Sequence, residues 1–373
     1  MIRIFTPIRI PLIVLSFLMC GAALSPQETA TQSIPAQPIK AFPTPDIILH
    51  DEKHKEPKSG VQLQGGQLTI MSGVGTPTVI NAFSFSADGN TLAAAKDFGR
   101  VVIWNVAKKK FLRALETSQG IVDAVAVSPD GKTVTTSGKG DDFSVKTWDV
   151  ATGKILKELR NNQAPILTLE YDDTGQSLVV SDNAGVVRAF NVSGWEPSFT
   201  LNGVHAPMMA QDRKSLVTVD EKEIATWSCA SWSKVQAKPI PKGFPLLVAA
   251  HTGEDRLGVY QFKRMRIMRG STGEVLLERA DFFPKNFTWR PTFAGFSSDG
   301  TLLYASMDDR LWLWNIEKNQ ACSTPTMYSG TASVSPDGHW LAGAKDDSIV
   351  SKERTDGVWI WDTRHLATSC TAN

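Results

Sequence analysis

Apolar and polar residues alternate in short runs along most of the chain, and glycine-bearing turns separate these runs. The stretch 125–159 shows the pattern in full, with four alternating runs of four to seven residues. Alternation with a period of two is typical of β-strands that bury one face, whereas helical periodicity is almost absent. We therefore expect an all-β protein built from units of four short antiparallel strands.

This four-stranded unit recurs along the chain. One residue, usually aromatic, ends the third strand of each unit, and successive copies lie 37 to 47 residues apart. The positions are Trp104, Trp148, Phe190, Trp227, Met268, Trp314 and Trp361. A single small sheet cannot bury its own faces, and a period near 40 residues is typical of propeller blades. The pattern predicts a seven-bladed β-propeller with four antiparallel strands per blade.

A turn related to Ser-Pro-Asp-Gly joins the first and second strands of most units. Its glycine can adopt the positive φ that such a turn requires. Five units keep the pattern, beginning at Ser86, Ser128, Asp172, Ser297 and Ser335. In units four and five it decays to QDRK at Gln211 and to HTGED at His251. These two units are therefore the least sharply bounded.

The repeats resemble the WD-repeat family of β-propellers over about residues 61 to 362. The resemblance rests on IWN, TWD, LWN and IWD at the ends of third strands, and on Asp142 and Asp308, each six residues before a third-strand Trp. It implies that these repeated Trp and Asp residues are structural. The family's Gly-His pair is mostly missing, so we expect its hydrogen-bond network to the Trp to be incomplete in most blades.

The first 23 residues resemble a secretory signal peptide. Arg3 and Arg9 precede the apolar run 10–19, and small residues follow at 21–23. The run is too short to span a bilayer. We expect an exported protein, periplasmic or extracellular, with no transmembrane span in the mature chain. The alternative is a lipid anchor at Cys20.

The pattern also predicts the domain boundaries. Residues 24–60 are rich in Pro, Gln, Thr and Lys and are predicted to form a flexible linker. The propeller is predicted over 61–366, followed by a tail over 367–373. The last unit has only three strands, so we expect the run 61–71 to supply its fourth. Such a strand would close the ring and hide sheet edges.

Net charge bears on the class of partner, and the cysteines bear on possible disulfides. The net charge is +1 and 21% of residues are charged, so bulk charge indicates no nucleic-acid partner. Cys322 and Cys370 occupy similar places in the last two units. They form a disulfide in one interpretation and remain free thiols, with Cys229, in the other.

Motifs for chemistry are absent from the sequence. It contains no GxSxG, HExxH, CxxC or GxxxxGK[ST] pattern, so we expect no catalytic residue, no cofactor and no metal. Aromatic and charged residues do cluster in three loops that should share one face, as interface anchors do. The predicted partner-binding residues are Phe282, Phe283, Phe287, Trp289, Arg290, Asp309, Arg310, Lys352 and Arg354. Alternatively, the aromatic residues fill a gap between blades.

The resemblance implies a non-catalytic scaffold that binds another protein or a peptide through loops on one face. We expect the propeller to be a monomer. Two alternatives stay open. One is an exported propeller hydrolase or lactonase-like enzyme, and the other is a small-molecule sensor at the central channel.

Overall fold

The structure is a computed structural model that describes most of the chain from Lys40 to Ser369. The described residues are 40–41, 45–49, 60–64, 67–71, 80–138, 143–160, 162–205, 207–240, 247–261, 263–280, 293–307, 310–323, 331–344 and 358–369. All of them belong to one compact unit, residues 34–373. Their regular structure is almost entirely β.

Four short strands precede the repeats: β1 Lys40–Ala41, β2 Ile47–Leu49, β3 Gly60–Gln64 and β4 Gln67–Met71. Blades 1 to 4 then follow in chain order, and each is a four-stranded antiparallel sheet. Blade 1 comprises β5 Ile80–Phe85, β6 Thr91–Lys96, β7 Arg100–Asn105 and β8 Lys110–Glu116, with a 3-10 turn, Asp97–Gly99, before β7. Blade 2 comprises β9 Val122–Val127, β10 Thr133–Gly138, β11 Val145–Asp149 and β12 Ile155–Leu159. Blade 3 comprises β13 Ile166–Tyr171, β14 Ser177–Asp182, β15 Val187–Asn191 and β16 Glu196–Leu201. Blade 4 comprises β17 Met208–Met209, β18 Ser215–Val219, β19 Glu223–Ser228 and β20 Lys234–Pro239.

Blades 5 to 7 complete the ring, so the predicted seven-bladed propeller is confirmed. Blade 5 comprises β21 Leu247–His251, β22 Arg256–Gln261, β23 Arg264–Arg269 and β24 Val275–Arg279. Blade 6 comprises β25 Phe293–Phe296, β26 Leu302–Met307, β27 Arg310–Asn315 and β28 Gln320–Ser323. Blade 7 has β29 Ala332–Val334, β30 Trp340–Ala344 and β31 Val358–Asp362, and the helix α1 Thr363–Ser369 follows.

Packing between neighbouring blades forms the core. Seven clusters of buried apolar side chains lie at the seven blade interfaces. The repeated aromatic of each third strand packs on the preceding blade: Trp148, for example, meets Val101 and Ile103 of blade 1. Burial of these faces is the main favourable term for a ring of small sheets. The third-strand residues Trp104, Trp148, Phe190, Trp227, Trp314 and Trp361 lie in or against these clusters. Their structural role stays a prediction.

One third-strand tryptophan, Trp148, belongs to a buried hydrogen-bond network. In blade 2, Trp148 Nε1 donates to Thr136 Oγ1 at 2.9 Å, and Thr136 Oγ1 donates to Gln119 Oε1 at 2.6 Å. The amide of Gln119 also donates to the Ser144 carbonyl at 2.7 Å. Gln119 thereby completes a buried network in this blade without a histidine, whereas the prediction concerned the family's histidine-based network in most blades.

Ring closure uses a different segment from the one that we expected. The fourth strand of blade 7 is β2, which pairs antiparallel with β31, Leu49 opposite Val358. Leu49 is buried in the cluster between blades 7 and 1. Asp46 adds polar contacts, because its carboxylate accepts the Asp362 N–H at 2.7 Å and contacts His365 Nδ1 at 2.8 Å. The hydrogen bond from His365 to Asp46, together with the negative charges of Asp46 and Asp362, raises the pKa of His365.

The prediction that residues 61–71 close the ring is therefore wrong. Within that run, β3 and β4 pair with each other in register, Gln64 opposite Gln67. The two residues between these strands in the sequence are Gly65 and Gly66, and a two-residue glycine pair is a strong hairpin signal. A hairpin satisfies its own strand pairing and does not need the blade edge.

The structure differs from the predicted domain boundaries at both ends of the propeller. The predicted linker 24–60 contains β2, and it contains β1, which adds a fifth, parallel strand to β28 of blade 6. The ring therefore begins before residue 61. At the other end, α1 runs through the predicted boundary at 366 and ends at Ser369, with Leu366 buried between blades 6 and 7.

Candidate functional site

The first strands of the blades line a central channel. They lie next to one another around the ring, and the cavity that they enclose has a volume of about 260 Å³. Its wall is mostly apolar, with side chains such as Phe83, Val125, Leu169, Met208 and Phe293. The small apolar first strands predicted from the sequence account for this wall.

The channel has a closed floor at the end where the first strands finish. Gln211 and Arg213, in the turn between β17 and β18, extend from blade 4 across the ring. Gln211 Nε2 donates to the Ser335 carbonyl of blade 7 at 2.7 Å. Arg213 Nη2 donates to the Phe85 carbonyl of blade 1 at 3.2 Å. Both bonds join blades that are not neighbours in the ring.

The decayed turn of unit four explains this floor. Arg213 N donates to the Ala210 carbonyl, as Gly131 N does to the Ser128 carbonyl in blade 2, so Arg213 stands where other blades have glycine. Its φ is 56°, a left-handed value that glycine adopts without strain and arginine rarely adopts. The substitution puts a guanidinium at the base of the channel at the cost of local backbone strain.

Charge at the base comes from Glu170 and Arg213. Burial raises the pKa of the Glu170 carboxyl, and the nearby Arg213 and the Met209 N–H oppose that rise. Burial likewise lowers the pKa of Arg213, and Glu170 opposes this. Both side chains are only partly accessible to solvent. Asp123 is the other charged residue among the described residues that line the cavity.

The opposite end of the channel carries an apolar mouth, here defined as Phe98, Ile121 and Leu167. Leu167 lines the cavity and is 53% exposed, so the cavity reaches solvent at this end. Phe98 lies between β6 and β7, and Ile121 between β8 and β9. These two connections meet, because Thr117 N donates to the Gly99 carbonyl at 2.7 Å. Phe98 is 61% exposed and has a left-handed φ of 63°.

Comparison with known proteins places the fold in a family. The family model described as "WD domain, G-beta repeat" matches residues 109–149, which contain the third strand of blade 2 with its Trp148-Asp149 pair. This part of the chain resembles the WD-repeat family, and the chain as a whole is a seven-bladed β-propeller. The match covers about one blade of the seven.

Curated relatives carry the same repeats. The chain is 34% identical over 100 residues to the retinoblastoma-binding-like protein E of Dictyostelium discoideum, covering 26% of this chain and 18% of that protein. It is 30% identical to the small ribosomal subunit protein RACK1y of Oryza sativa subsp. japonica, covering 36% and 35%. It is 27% identical to the uncharacterized WD repeat-containing protein sll1491 of Synechocystis, covering 41% and 46%. The matches thus span less than half of each relative.

A solved structure supports the ring as a whole. The crystal structure of the Cps50 (Swd1) β-propeller domain from Myceliophteria thermophila superposes with a TM-score of 0.59 and 16% identity. The superposition covers 76% of this chain and 98% of that domain. At this identity the likeness shows the fold. WD-repeat propellers are in general protein-interaction scaffolds and typically not enzymes.

The sequence-predicted partner site of this propeller lies mostly outside the described residues. Arg310, which begins β27, is described and partly exposed. Phe282, Phe283, Phe287, Trp289, Arg290, Asp309, Lys352 and Arg354 lie outside the described residues, as do Asp142 and Asp308. Their role stays a prediction. The described strands that flank them, β24 and β25, β26 and β27, and β30 and β31, are connected at the end of the ring where the mouth lies.

The described residues contain neither a cluster of metal-binding side chains nor a helix long enough to span a membrane. Within the described part of the chain, no group of three or more His, Cys, Asp or Glu side chains is placed to hold a metal ion. The described helix is too short to cross a bilayer. Cys229 is a buried free thiol, and Cys322 is disulfide-bonded to a cysteine outside the described residues. The pairing of Cys322 with Cys370 stays a prediction.

Sequence reasoning missed the mouth and the floor. Phe98, Ile121 and Leu167 are isolated apolar residues in the sequence, and nothing local indicates that they stay exposed. For the floor the sequence holds a signal: in the turn of unit four, Gln211 stands where blade 2 has Pro129, and Arg213 stands where it has Gly131. Nothing local in the sequence indicates that these side chains reach across the ring.

Proposed function

We propose that this protein is a non-catalytic scaffold of the WD-repeat type that binds another protein through the apolar mouth of its channel. The observation that carries the proposal is the exposure of three large apolar side chains at the end of the ring where the channel opens; of the three, Leu167 lines the cavity. Exposed apolar and aromatic side chains grouped on one face are typical of interaction surfaces. The predicted anchors in the neighbouring loops would extend the same face.

The backbone at Phe98 supports a binding role. Phenylalanine in a left-handed conformation is strained, and such strain persists mostly where a side chain is held for function. A bulky aromatic that is both strained and exposed contributes little to stability. Contact with a partner would give this exposed side chain a role.

We also propose that the protein is exported. The signal-like N-terminus supports this, and so does the disulfide at Cys322, because disulfides persist mainly in oxidising compartments. The scaffold would then meet its partner in the periplasm or outside the cell.

Two matched variants test the docking surface. The mouth variant carries Phe98→Asn, Ile121→Ser and Leu167→Ser, where Asn suits the left-handed backbone. The control carries Ile155→Ser, Leu156→Ser and Val235→Ser, which remove three exposed apolar side chains from the outer strands β12 and β20. Each purified chain serves as bait for extracts of the cell envelope, with captured proteins identified by mass spectrometry.

We expect the mouth variant to lose the partner captured by wild type, and the outer-strand control to keep it. Melting temperatures of both variants should stay close to wild type because all six side chains are exposed. Loss of the partner by the control alone, with capture intact in the mouth variant, would move the docking surface to the outer strands.

A further inference from the structure

The channel has the form of a small ligand pocket that opens at the mouth. Its floor is closed by Gln211 and Arg213, and its volume of about 260 Å³ lies just below the range of about 300–1,000 Å³ typical of drug-sized ligands. Most residues of the wall are apolar, and Glu170, Gln211 and Arg213 supply polar groups at the base. Apolar walls with a few convergent polar groups are the usual composition of ligand sites.

Arg213 supplies the donor that such a ligand would need. Its Nη2 donates to the Phe85 carbonyl, whereas its Nη1 is buried and has no hydrogen-bond partner among the described residues. A buried guanidinium donor without an acceptor is costly, and carboxylate is the acceptor that a guanidinium binds best. The strained backbone of Arg213 shows that the guanidinium is held in place against a local cost.

We propose that the channel binds a small monocarboxylate with a short apolar body, whose carboxylate contacts Arg213 at the floor and whose body packs along the apolar wall. Glu170 lies beside this position, and burial raises the pKa of its carboxyl. The charged side chains that line the cavity are Asp123, Glu170 and Arg213. The nearby Cys229 thiol stays neutral, because burial raises its pKa to about 12.

Removal of the guanidinium is tested with Arg213→Gly. Glycine occupies the equivalent position in five other blades, at φ of 66° to 73°, so this variant should fold and its melting temperature should not fall much. The control is Lys109→Gly, which also removes one cation from a left-handed position, φ 51°, but in the exposed turn between β7 and β8. Binding of sodium hexanoate, of hexanamide and of hexylammonium is measured by calorimetry and ligand-observed NMR.

Wild type and Lys109→Gly should bind one hexanoate per chain with a Kd on the order of 1 mM, and hexanamide and hexylammonium more weakly. Arg213→Gly should weaken hexanoate at least about tenfold, as expected for loss of a charged hydrogen bond. Equal binding of hexanoate and hexanamide, absence of saturable hexanoate binding to wild type, or unchanged binding to Arg213→Gly would overturn the proposal.

Glu170→Gln gives a second, independent arm. Gln keeps the size of the Glu170 side chain, offers an N–H donor and removes the acidic group beside Arg213, so this variant should bind hexanoate at least as tightly as wild type. Weaker hexanoate binding to Glu170→Gln than to wild type would contradict the assignment. Tighter binding of hexylammonium than of hexanoate to wild type would show a cation site and contradict it as well.

The same carboxylate chemistry could come from an acidic side chain of a partner. N-acetyl-glutamate N-methylamide represents that source and is titrated in parallel. If hexanoate binds more tightly than the glutamate derivative, the ligand is a free carboxylic acid. If the glutamate derivative binds more tightly, the carboxylate comes from a partner's side chain and the proposal of a free acid is wrong. A double variant, Phe98→Asn with Ile121→Ser, separates this site from protein docking, since neither residue lines the cavity and Arg213 is intact in it.

Discussion

Individual residues decide how each blade satisfies its buried indole. In blade 2 the acceptor is Thr136, itself bonded to Gln119, whereas in blade 4 Trp227 donates to Thr218 at 2.9 Å. In blade 6 Trp314 donates to Asn319 at 2.9 Å, and Asn319 lies in the following turn. The aromatic ring repeats because every interface needs its volume, while the polar partner varies because any nearby acceptor suffices.

We predict that Gln119→Ala destabilises the protein. The change leaves the buried Ser144 carbonyl and Thr136 hydroxyl without their strongest side-chain partner, which costs about 1–3 kcal/mol of the free energy of unfolding. Urea unfolding of Gln119→Ala is compared with that of Gln176→Ala, an exposed glutamine in the β13–β14 turn. Coincident unfolding curves for the two variants would show that the network adds nothing to stability.

At the scale of an element, the turn between first and second strands is a small hydrogen-bonded unit. In blade 2, Ser128 Oγ donates to Asp130 Oδ1 at 2.7 Å and accepts the Thr133 N–H at 3.0 Å. Burial opposes ionisation of Asp130, but hydrogen bonds from Ser128 and the Lys132 backbone outweigh it and lower the pKa of Asp130. Asp88 and Asp299 repeat this arrangement in blades 1 and 6.

We predict that Asp130→Ala lowers the free energy of unfolding by about 1 kcal/mol near pH 7, a small effect because the carboxylate is half exposed. The folded chain binds a proton at Asp130 less tightly than the unfolded chain. The contribution of Asp130 is therefore present above a pH of about 3.9 and is lost as the pH falls through its folded pKa.

Urea unfolding of wild type and Asp130→Ala at several pH values measures this effect, with Asp173→Ala, an exposed carboxylate of the next blade's turn, as control. The difference between wild type and Asp130→Ala should shrink on acidification below about pH 4. A difference that stays constant down to about pH 3 would contradict a role for the charged form.

At the scale of the whole molecule, the N-terminal segment holds the ring together. Strand β2 pairs with β31, so the last blade consists of strands from both ends of the described chain. Closure removes a blade edge that would otherwise be exposed, and it buries Leu49 between blades 7 and 1. A rigid closed ring keeps the mouth and the floor at constant geometry.

We predict that Leu49→Ala lowers the free energy of unfolding by about 2–5 kcal/mol, the usual cost of truncating a buried leucine. Chemical denaturation measures the change, and Leu112→Ala, in the outer strand β8 with a largely exposed side chain, is the control. A stable Leu49→Ala protein beside an unstable Leu63→Ala protein would return the closing role to residues 61–71.

The sequence by itself determined the number of blades, the strand spacing and the residue, usually aromatic, that ends the third strand of each blade. These features are local, since alternation and a period near 40 residues encode them within each repeat. The loops with the predicted anchors followed from the same spacing.

Only the tertiary structure decided which segment closes the ring, which apolar residues remain exposed at the mouth, and what lies at the channel floor. These features depend on contacts between residues far apart in the chain: Gln211 with Ser335, Arg213 with Phe85, and Asp46 with Asp362, separated by 124, 128 and 316 positions. No local pattern records such pairings, because they form only when seven sheets have already packed into a circle.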